Sequence, residues 1–531
     1  MKAALPVPAR LIDVSGNPLR ASMSSGGHNA ARFSRELASW TPALRSADAE
    51  LLPDLNTLQA RVHDIARNYA LVSGGMQVQL DNIIGAGLKL VARPDYRILG
   101  LDADWAEEWT RNAEAKFRMW GEDPDCYCDA SRRQTFSGLI GTGYRSFMTT
   151  GEILASVEWL QRRRDRFATA IQLIDPARLS NPNLLPDTQR LRAGVQLDTF
   201  GAPVGYNIRT ALQSDVRFGA DAYTWKFVPR ETKWGRQQII HIFDVERPGQ
   251  TRGKASITAG LVKSKMLERF QDVNLEAAIV NSMYAAVIES EFNYTQVAEA
   301  MGSDDPASIA TNVLGAQSVF HENAPVRMNG VRIPVLYPGE KLNFMPSNHP
   351  GPNYGEFEKS TLRHLAANLG ISYEQLARDY SQTNYSGARA AMIEAWKFFT
   401  SRRKQIAGRL ASAIYALWLE EAIDRGEVEI PPGAPDFYAA KPAWARCDWI
   451  GPGRGHIDPL KEAKADQLEM DMGTLTLEQA CAERGYDWEE VLEQKAREQK
   501  RMKELGIILN PAAQNTAADM LLTDQSGDQS A

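Results

Sequence analysis

Cysteine is scarce: four residues in a chain of 531. That excludes a disulfide scaffold and points to a reducing compartment. Long apolar runs are missing too. Stretches such as Ala277–Ile288 and Leu410–Leu419 fall short of the ~18 uncharged residues that a spanning helix needs. The apolar run after Lys2 is broken by Pro6 and Pro8 and closed by Arg10, too short for a signal peptide. The expectation is a soluble chain made in the cytoplasm. Neither charge sign dominates, because 60 basic and 66 acidic residues leave a net charge of −6. Binding of nucleic acid by bulk positive charge is thereby excluded.

Catalytic motifs are missing as well. The segment Pro248-Gly249-Gln250-Thr251-Arg252-Gly253-Lys254-Ala255 comes nearest to a phosphate-binding loop. It has proline where the first glycine belongs, and alanine where a magnesium-holding hydroxyl is needed. It reads as a turn that launches a long helix. Gly451-Pro452-Gly453-Arg454-Gly455 lacks the spacing of a loop that opens a helix. Cys126 and Cys128 sit too close together for a zinc knuckle, and Cys447 and Cys481 lie far away. The seven histidines are scattered; His241 and His364 read as satisfied core or interface residues. No G-x-S-x-G elbow occurs. These omissions point to a protein that is not an enzyme and takes no cofactor and no metal. The runs Arg162-Arg163-Arg164 and Arg402-Arg403-Lys404 read chiefly as solvated faces.

What is present is mostly helical pattern, in an α+β arrangement. The first fifty residues, rich in Ala, Ser, Gly and Arg, read as a flexible arm with at most one short helix. Leu55, Leu58, Val62, Ile65 and Tyr69 then mark one helix face, and Trp105, Trp109, Phe117 and Trp120 another. Between 151 and 245 the chain reads as sheet: Ile153–Trp159, Ala170–Ile174, Val195–Leu197, Gly205–Ile208 and Gln238–Val245, with hairpin chemistry at Asp198-Thr199-Phe200-Gly201. Ile257 to about Glu289 predicts a helix of ~45 Å. A polar, Gly/Pro-punctuated, helix-free block (Phe292–Pro352) follows, with short strands around Val326–Leu336. Helices resume at Glu356–Leu369 and at Ala388–Glu421, the latter with Ile406, Leu410, Ile414, Leu417 and Trp418 on one face. A pair of C-terminal helices follows, with capping boxes at Thr476…Gln479 and Asp487…Glu490 and a stop at Gly506. The residues after Ala512 read as a disordered tail.

Several segments, in order along about residues 45–505, resemble the lambda-type portal proteins of tailed bacteriophages. They are Ser180-Asn181-Pro182-Asn183, Arg192-Ala193-Gly194-Val195-Gln196, Gln250-Thr251-Arg252-Gly253, Ala278–Glu291, Gly370–Tyr380, Tyr385–Ala390 and Cys447–Arg454. The resemblance implies a portal fold of wing, stem, clip and crown that assembles into a ring. On this chain it implies an arm at 1–50, a wing at 51–250, a first stem helix at 251–290 and a clip at 291–352. A second stem helix at 353–376, a tunnel loop at 377–387, and a wing helix with its return at 388–456 would follow. Crown helices at 457–510 and a tail at 511–531 would end the chain. Ser381, Gln382, Thr383, Asn384, Tyr385 and Ser386 would be the tunnel-loop residues facing the DNA channel. The opposite charges of Lys263, Lys265 and Arg269 against Glu276 would pair across neighbouring stem helices.

The resemblance also implies a function: a dodecameric head-tail connector at one capsid vertex of the virion. Double-stranded DNA would be packaged and ejected through it without sequence specificity. Its partners would be the terminase large subunit, the major capsid and scaffold proteins and the head-completion adaptors, with no membrane involved. Twelve copies at −6 each would carry about −72, a field that repels DNA instead of gripping it. A capsid adaptor or scaffolding protein that forms no ring remains an alternative, and a packaging enzyme a more distant one.

Overall fold

The computed structural model describes residues 28, 39–163, 166–212, 214–215, 223–283, 354–381, 385–455 and 458–507, with the short segments 287–290, 315–316, 318–320, 326–328, 331–333 and 340–343. Over half of it is helical, about 54%, and every strand pair among the described residues is antiparallel. The chain is α+β and predominantly helical, as expected.

The order begins with helices α1 (Ala47–Leu51), α2 (Leu55–Asn68) and α3 (Ala70–Ile83), strand β1 (Lys89–Ala92), and helices α4 (Tyr96–Leu99), α5 (Ala103–Gly121) and α6 (Phe136–Thr150). Strands β2 (Glu152–Trp159), β3 (Thr169–Ile174), β4 (Leu191–Arg192), β5 (Val195–Leu197), β6 (Pro203–Arg209), β7 (Trp225–Pro229) and β8 (Ile239–Phe243) follow. They form two sheets, ordered β3-β2-β8 and β4-β5-β6-β7. Strand periodicity explains how β2 serves two cores. Ile153 and Ala155 face the helices with Ile240 and Ile242, while Leu154 faces the second sheet with Ile174, Val195, Leu197, Tyr206 and Ile239. The β5–β6 turn forms as expected, with Asp198 Oδ1 accepting from the Phe200 and Ala202 amides.

The long helix is shorter than its pattern suggests. Residues Ser256–Gly260 form a 3-10 turn, α7 spans Leu261–Met283, and Val287–Ser290 is strand β9. β9 pairs with β12 (Glu340–Asn343), and β10 (Val326–Met328) with β11 (Val331–Ile333). Cross-strand pairing of the β-branched Val287-Ile288 overrides the helical pattern there. Residues 315–316 and 318–320 are helical, so the middle block is not free of helix. The remainder of the clip candidate, like most of the N-terminal arm and all of the tail, lies outside the described residues. The arm candidate ends too late: residues 47–50 belong to the packed body, where the buried Asp48 receives Arg192 (2.8 Å) and the Thr251 hydroxyl (2.6 Å).

Helices α8 (Tyr354–Leu369) and α9 (Tyr373–Ala377) follow, parted at Gly370. Next, α10 (Tyr385–Arg402) and α11 (Gly408–Asp424) join through a π-helical turn at Arg403–Ala407. The expected face, Ile406, Leu410, Ile414, Leu417 and Trp418, is entirely buried. The neighbouring Arg403 corrects the reading of a solvated run. Its guanidinium donates to the Ile83 and Asn82 carbonyls (both 2.8 Å) and to that of Pro452 (2.9 Å). These first two are carbonyls at the end of α3 that lack helical partners. Burial depresses its pKa to about 10. Arg402 pairs with Asp244 at 2.5 Å, and Arg162 donates to the Ala130 carbonyl. Helix α12 (Lys441–Trp444) and strand β13 (Cys447–Ile450), paired with β1, close this body.

Three C-terminal helices, not two, follow: α13 (Pro459–Asp471), α14 (Leu477–Glu483) and α15 (Trp488–Leu505). Thr476 and Gln479 form the expected capping box, whereas Asp487 caps α15 alone, through the Glu489 amide. Gly506 ends α15 with φ 68°. α15 buries no residue and is held by charge, with Lys89 to Asp487 (3.2 Å) and Glu490 (2.5 Å), and Arg111 to Glu489 (3.2 Å).

Sheets and long helices meet at one buried ion cluster. Glu152, fully buried at the start of β2, accepts from Arg252 Nη2 at 2.7 Å and Nε at 2.9 Å, and from His241 Nε2 at 2.7 Å. Arg252 also donates to the carbonyls of Leu179 (3.0 Å), Ala193 (2.8 Å) and Pro176 (2.9 Å). Gly151 and Gly253 let the backbones touch, since a Cβ on Gly253 would sit 2.2 Å from the Gly151 oxygen. Burial would raise the Glu152 carboxyl, but Arg252 and His241 outweigh it and hold it at about 2. A depressed carboxylate contributes stability above its unfolded value of 4.5 and loses it as pH falls toward 2. We predict that Arg252→Met, which strands a buried carboxylate, costs about 3–5 kcal/mol in urea unfolding. The acid-induced loss attributable to Glu152 between pH ~4.5 and ~2 should disappear in that variant.

Candidate functional site: the α7 face and the 377–387 segment

Helix α7 packs on α8 through Phe270, whose ring stacks on Tyr354 at 5.6 Å and meets Phe357 edge-on at 5.2 Å. Leu261, Ser264 and Leu267 face inward. Gln271 donates to Glu358 (2.5 Å) and accepts from the Tyr69 hydroxyl (3.0 Å). The opposite face is bare. Val262 and Met266 are each 67% exposed and Val273 53%. Together with Arg269 and Glu276 they fall at steps of four, three, four and three residues, all exposed. That is the spacing by which one helix meets another over several turns. Sequence pattern registered the apolar residues of α7 but not this stripe, because hydropathy does not say which apolar residues the chain itself covers.

The four charged candidates are not equivalent. Lys265 lies 2.8 Å from Glu268 and 3.8 Å from Asp64, and the Glu268 hydrogen bond raises its pKa. Lys263, Arg269 and Glu276 are exposed and show no ion pair among the described residues. The structure therefore satisfies one of the four within the chain and leaves three on the open face.

The segment 377–387 starts after α9, whose N-terminus carries a complete capping box of Ser372 and Gln375. Leu376 and Ile371 anchor it in the core, and Arg378 adopts a left-handed conformation, φ 53°. Asp379 accepts from the Ser381 amide (3.1 Å) and hydroxyl (2.6 Å), which lowers its pKa. Gln382, Thr383 and Asn384 lie outside the described residues. Tyr385 and Ser386 belong to the first turn of α10 and not to a loop.

Among the described residues, no group of three His, Cys, Asp or Glu could hold a metal ion. Burial pushes the Cys128 thiol up to about 12, and it donates to the Gly121 and Gln134 carbonyls. Thr251 and Arg252, within the phosphate-loop look-alike, are buried against Asp48 and Glu152. No described helix is long and apolar enough to cross a membrane.

Several segments that carry the resemblance meet in space. Arg252 bonds the backbone beside Ser180 and at Ala193, and Asn181 Oδ1 accepts from the Gly194 amide at 2.7 Å. Pro452 receives Arg403. These stretches are joints that fix the body's geometry. The chain belongs to the lambda family of phage portal proteins, whose family model matches residues 33–403. The portal protein of Escherichia phage N15 is 38% identical over 490 residues, covering 92% of this chain and 91% of the relative. Portal protein B of Escherichia phage lambda is 37% identical over 490 residues, with the same coverage of each. A chain from the neck of an empty gene transfer agent particle overlaps 85% of this chain and 98% of its own, at 14% identity and TM-score 0.45. As a phage portal protein the chain is a structural component of the virion.

Proposed function

We propose that twelve copies of this chain close into the ring at one capsid vertex, a conduit through which double-stranded DNA enters and later leaves the head. One observation carries the ring reading: the exposed Val262–Met266–Arg269–Val273–Glu276 stripe on a helix that the described residues cover on its other side only. A neighbouring copy is the partner that such a heptad-spaced face fits. Lys263, Arg269 and Glu276 remain available for cross-subunit pairs, each worth about 0–1 kcal/mol. Residues 291–352 would form the clip that docks the terminase large subunit and, after it, the head-completion proteins. Capsid and scaffold proteins would surround the wing.

Met266→Asp with Val273→Asp should change the unfolding free energy of the single chain by less than about 0.5 kcal/mol, since both sites are exposed. The same pair should abolish rings in light scattering and negative-stain images. Rings at wild-type concentration would overturn the stripe as the contact, and a monomeric mass for the unaltered chain at every concentration would favour the adaptor reading. Lys263→Glu with Arg269→Glu, which leaves the intrachain Lys265 pairs intact, should raise the concentration needed for rings, more so at low salt.

The segment Ser381–Ser386 carries no charge, which suits a contact that must slide along phosphates without counterion release. Gln382→Lys with Asn384→Lys should still give rings and proheads but package DNA slowly or incompletely, the defect deepening as salt is lowered. Gln382→Ala with Asn384→Ala should be milder. Packaging by the lysine pair at normal rate and to full length at low salt would remove this segment from the channel.

A further inference from the structure

We propose that the cleft between the 230–238 turn and the end of α11 is a docking site for an arginine-bearing peptide segment of a partner protein. The cleft has a volume of about 610 Å³, and Trp159, Trp234, Glu420, Asp424, Asp436 and Tyr438 line it. Its aromatic walls are open to solvent: Trp159 is 54% exposed, Trp234 63% and Tyr438 39%. Large aromatic rings left bare around one hollow are costly unless something covers them.

The rings are held in place, not left dangling. Trp159 ends β2. Trp234 sits in a tight turn, in which the Thr232 amide donates to the Arg236 carbonyl (2.8 Å) and the Arg236 amide to the Thr232 hydroxyl (3.0 Å). Gly235, at φ 94°, supplies the left-handed residue of that turn, and a Cβ there would lie 3.8 Å from the Tyr438 ring. The Tyr438 hydroxyl donates to Glu420, and its amide donates to Asp436 at 3.1 Å. Rigid aromatic anchors of this kind lose little entropy on binding.

The charge pattern selects the ligand. Arg236 already lies over the Trp159 ring at 5.2 Å, with its guanidinium 3.0 Å from Glu420 and 2.8 Å from the Thr169 hydroxyl. The cleft thus holds one guanidinium between an indole and a carboxylate, and has the parts for a second. Oε2 of Glu420 is buried with no hydrogen-bond partner among the described residues. Asp424 and Asp436 are exposed on the rim. Glu421 is not available, because it accepts the Ala168 and Thr169 amides at 2.6 and 2.7 Å. The other cations nearby are Lys233 in the turn and Lys441, whose ammonium lies 5.8 Å from the outer Tyr438 ring. Neither shows an ion pair to Asp424 or Asp436. An incoming guanidinium can stack on Trp234 and bond the rim carboxylates through its planar fork, which an ammonium cannot reproduce. Trp, Tyr and Arg are also the residues in which binding energy concentrates at protein interfaces.

The test uses the full-length protein in its assembled form and a fluorescein-labelled peptide, acetyl-Gly-Ser-Arg-Ser-Gly-Arg-Ser-Gly, with a twin carrying citrulline for arginine. Anisotropy should saturate with the arginine peptide at about 100 mM salt, where distant exposed charges are screened. Binding should weaken about tenfold with the citrulline twin, with Trp234→Ala, and with Asp424→Asn plus Asp436→Asn. Trp234→Phe should recover most of it. Asp102→Asn plus Asp104→Asn, an exposed acidic pair at the start of α5, should bind as the unaltered protein does. All substituted residues are exposed, and each variant is to be checked for folding by circular dichroism. No saturable binding, equal binding of the citrulline twin, or an equal loss in the Asp102/Asp104 control would overturn the proposal. Binding to the single chain but not to the assembled form would also overturn it, assigning the cleft to a neighbouring copy.

Discussion

The rest of the body depends on the pair of Glu152 and Arg252. A carboxylate with no exposed surface is tolerable only when its charge is matched and its oxygens are filled. Here a guanidinium and an imidazole do both. Because Arg252 spends its other donors on three carbonyls between Pro176 and Ala193, one side chain ties β2, the 176–193 loops and the approach to α7 together.

A second arginine performs the corresponding task on the helical side of the body. Arg403, at the π-helical turn between α10 and α11, ties the end of α3 to the Pro452 segment. The two joints share a design: a buried cation collects main-chain carbonyls that no helix or strand satisfies. Such joints hold a rigid frame without demanding any catalytic geometry, consistent with a member of a structural family. The C-terminal helices are attached differently, through exposed ion pairs around Lys89 and Arg111, which are weaker and sensitive to salt.

Two surfaces stand out as unfinished in a single chain. The α7 stripe is long, narrow and heptad-spaced, which fits another helix. The Trp159–Trp234–Tyr438 cleft is concave and acid-rimmed, which fits a cationic side chain. The two differ in shape and in charge, so they call for different occupants: a copy of the same chain for the first and a basic segment of another protein for the second.

Local structure was legible in the sequence because side-chain identity at short spacing decides it. The strands at 152–159, 169–174 and 195–197, the Thr476–Gln479 cap, the Gly506 stop and the buried face from Ile406 to Trp418 all follow from period, turn chemistry and capping. Family membership was legible too, in short segments whose shared purpose was not. Only the tertiary structure decided that Arg252 meets Glu152 across 100 residues and that Arg403 turns inward from a charged run. Likewise, it alone decided that Val287–Ser290 leaves the helical pattern to pair with Glu340–Asn343, far along the chain. It also decided which apolar residues of α7 stay bare. A hydropathy pattern records that Val262, Met266 and Val273 prefer to be covered. Whether the cover comes from this chain or from another molecule depends on where distant segments pack, and no local pattern encodes that.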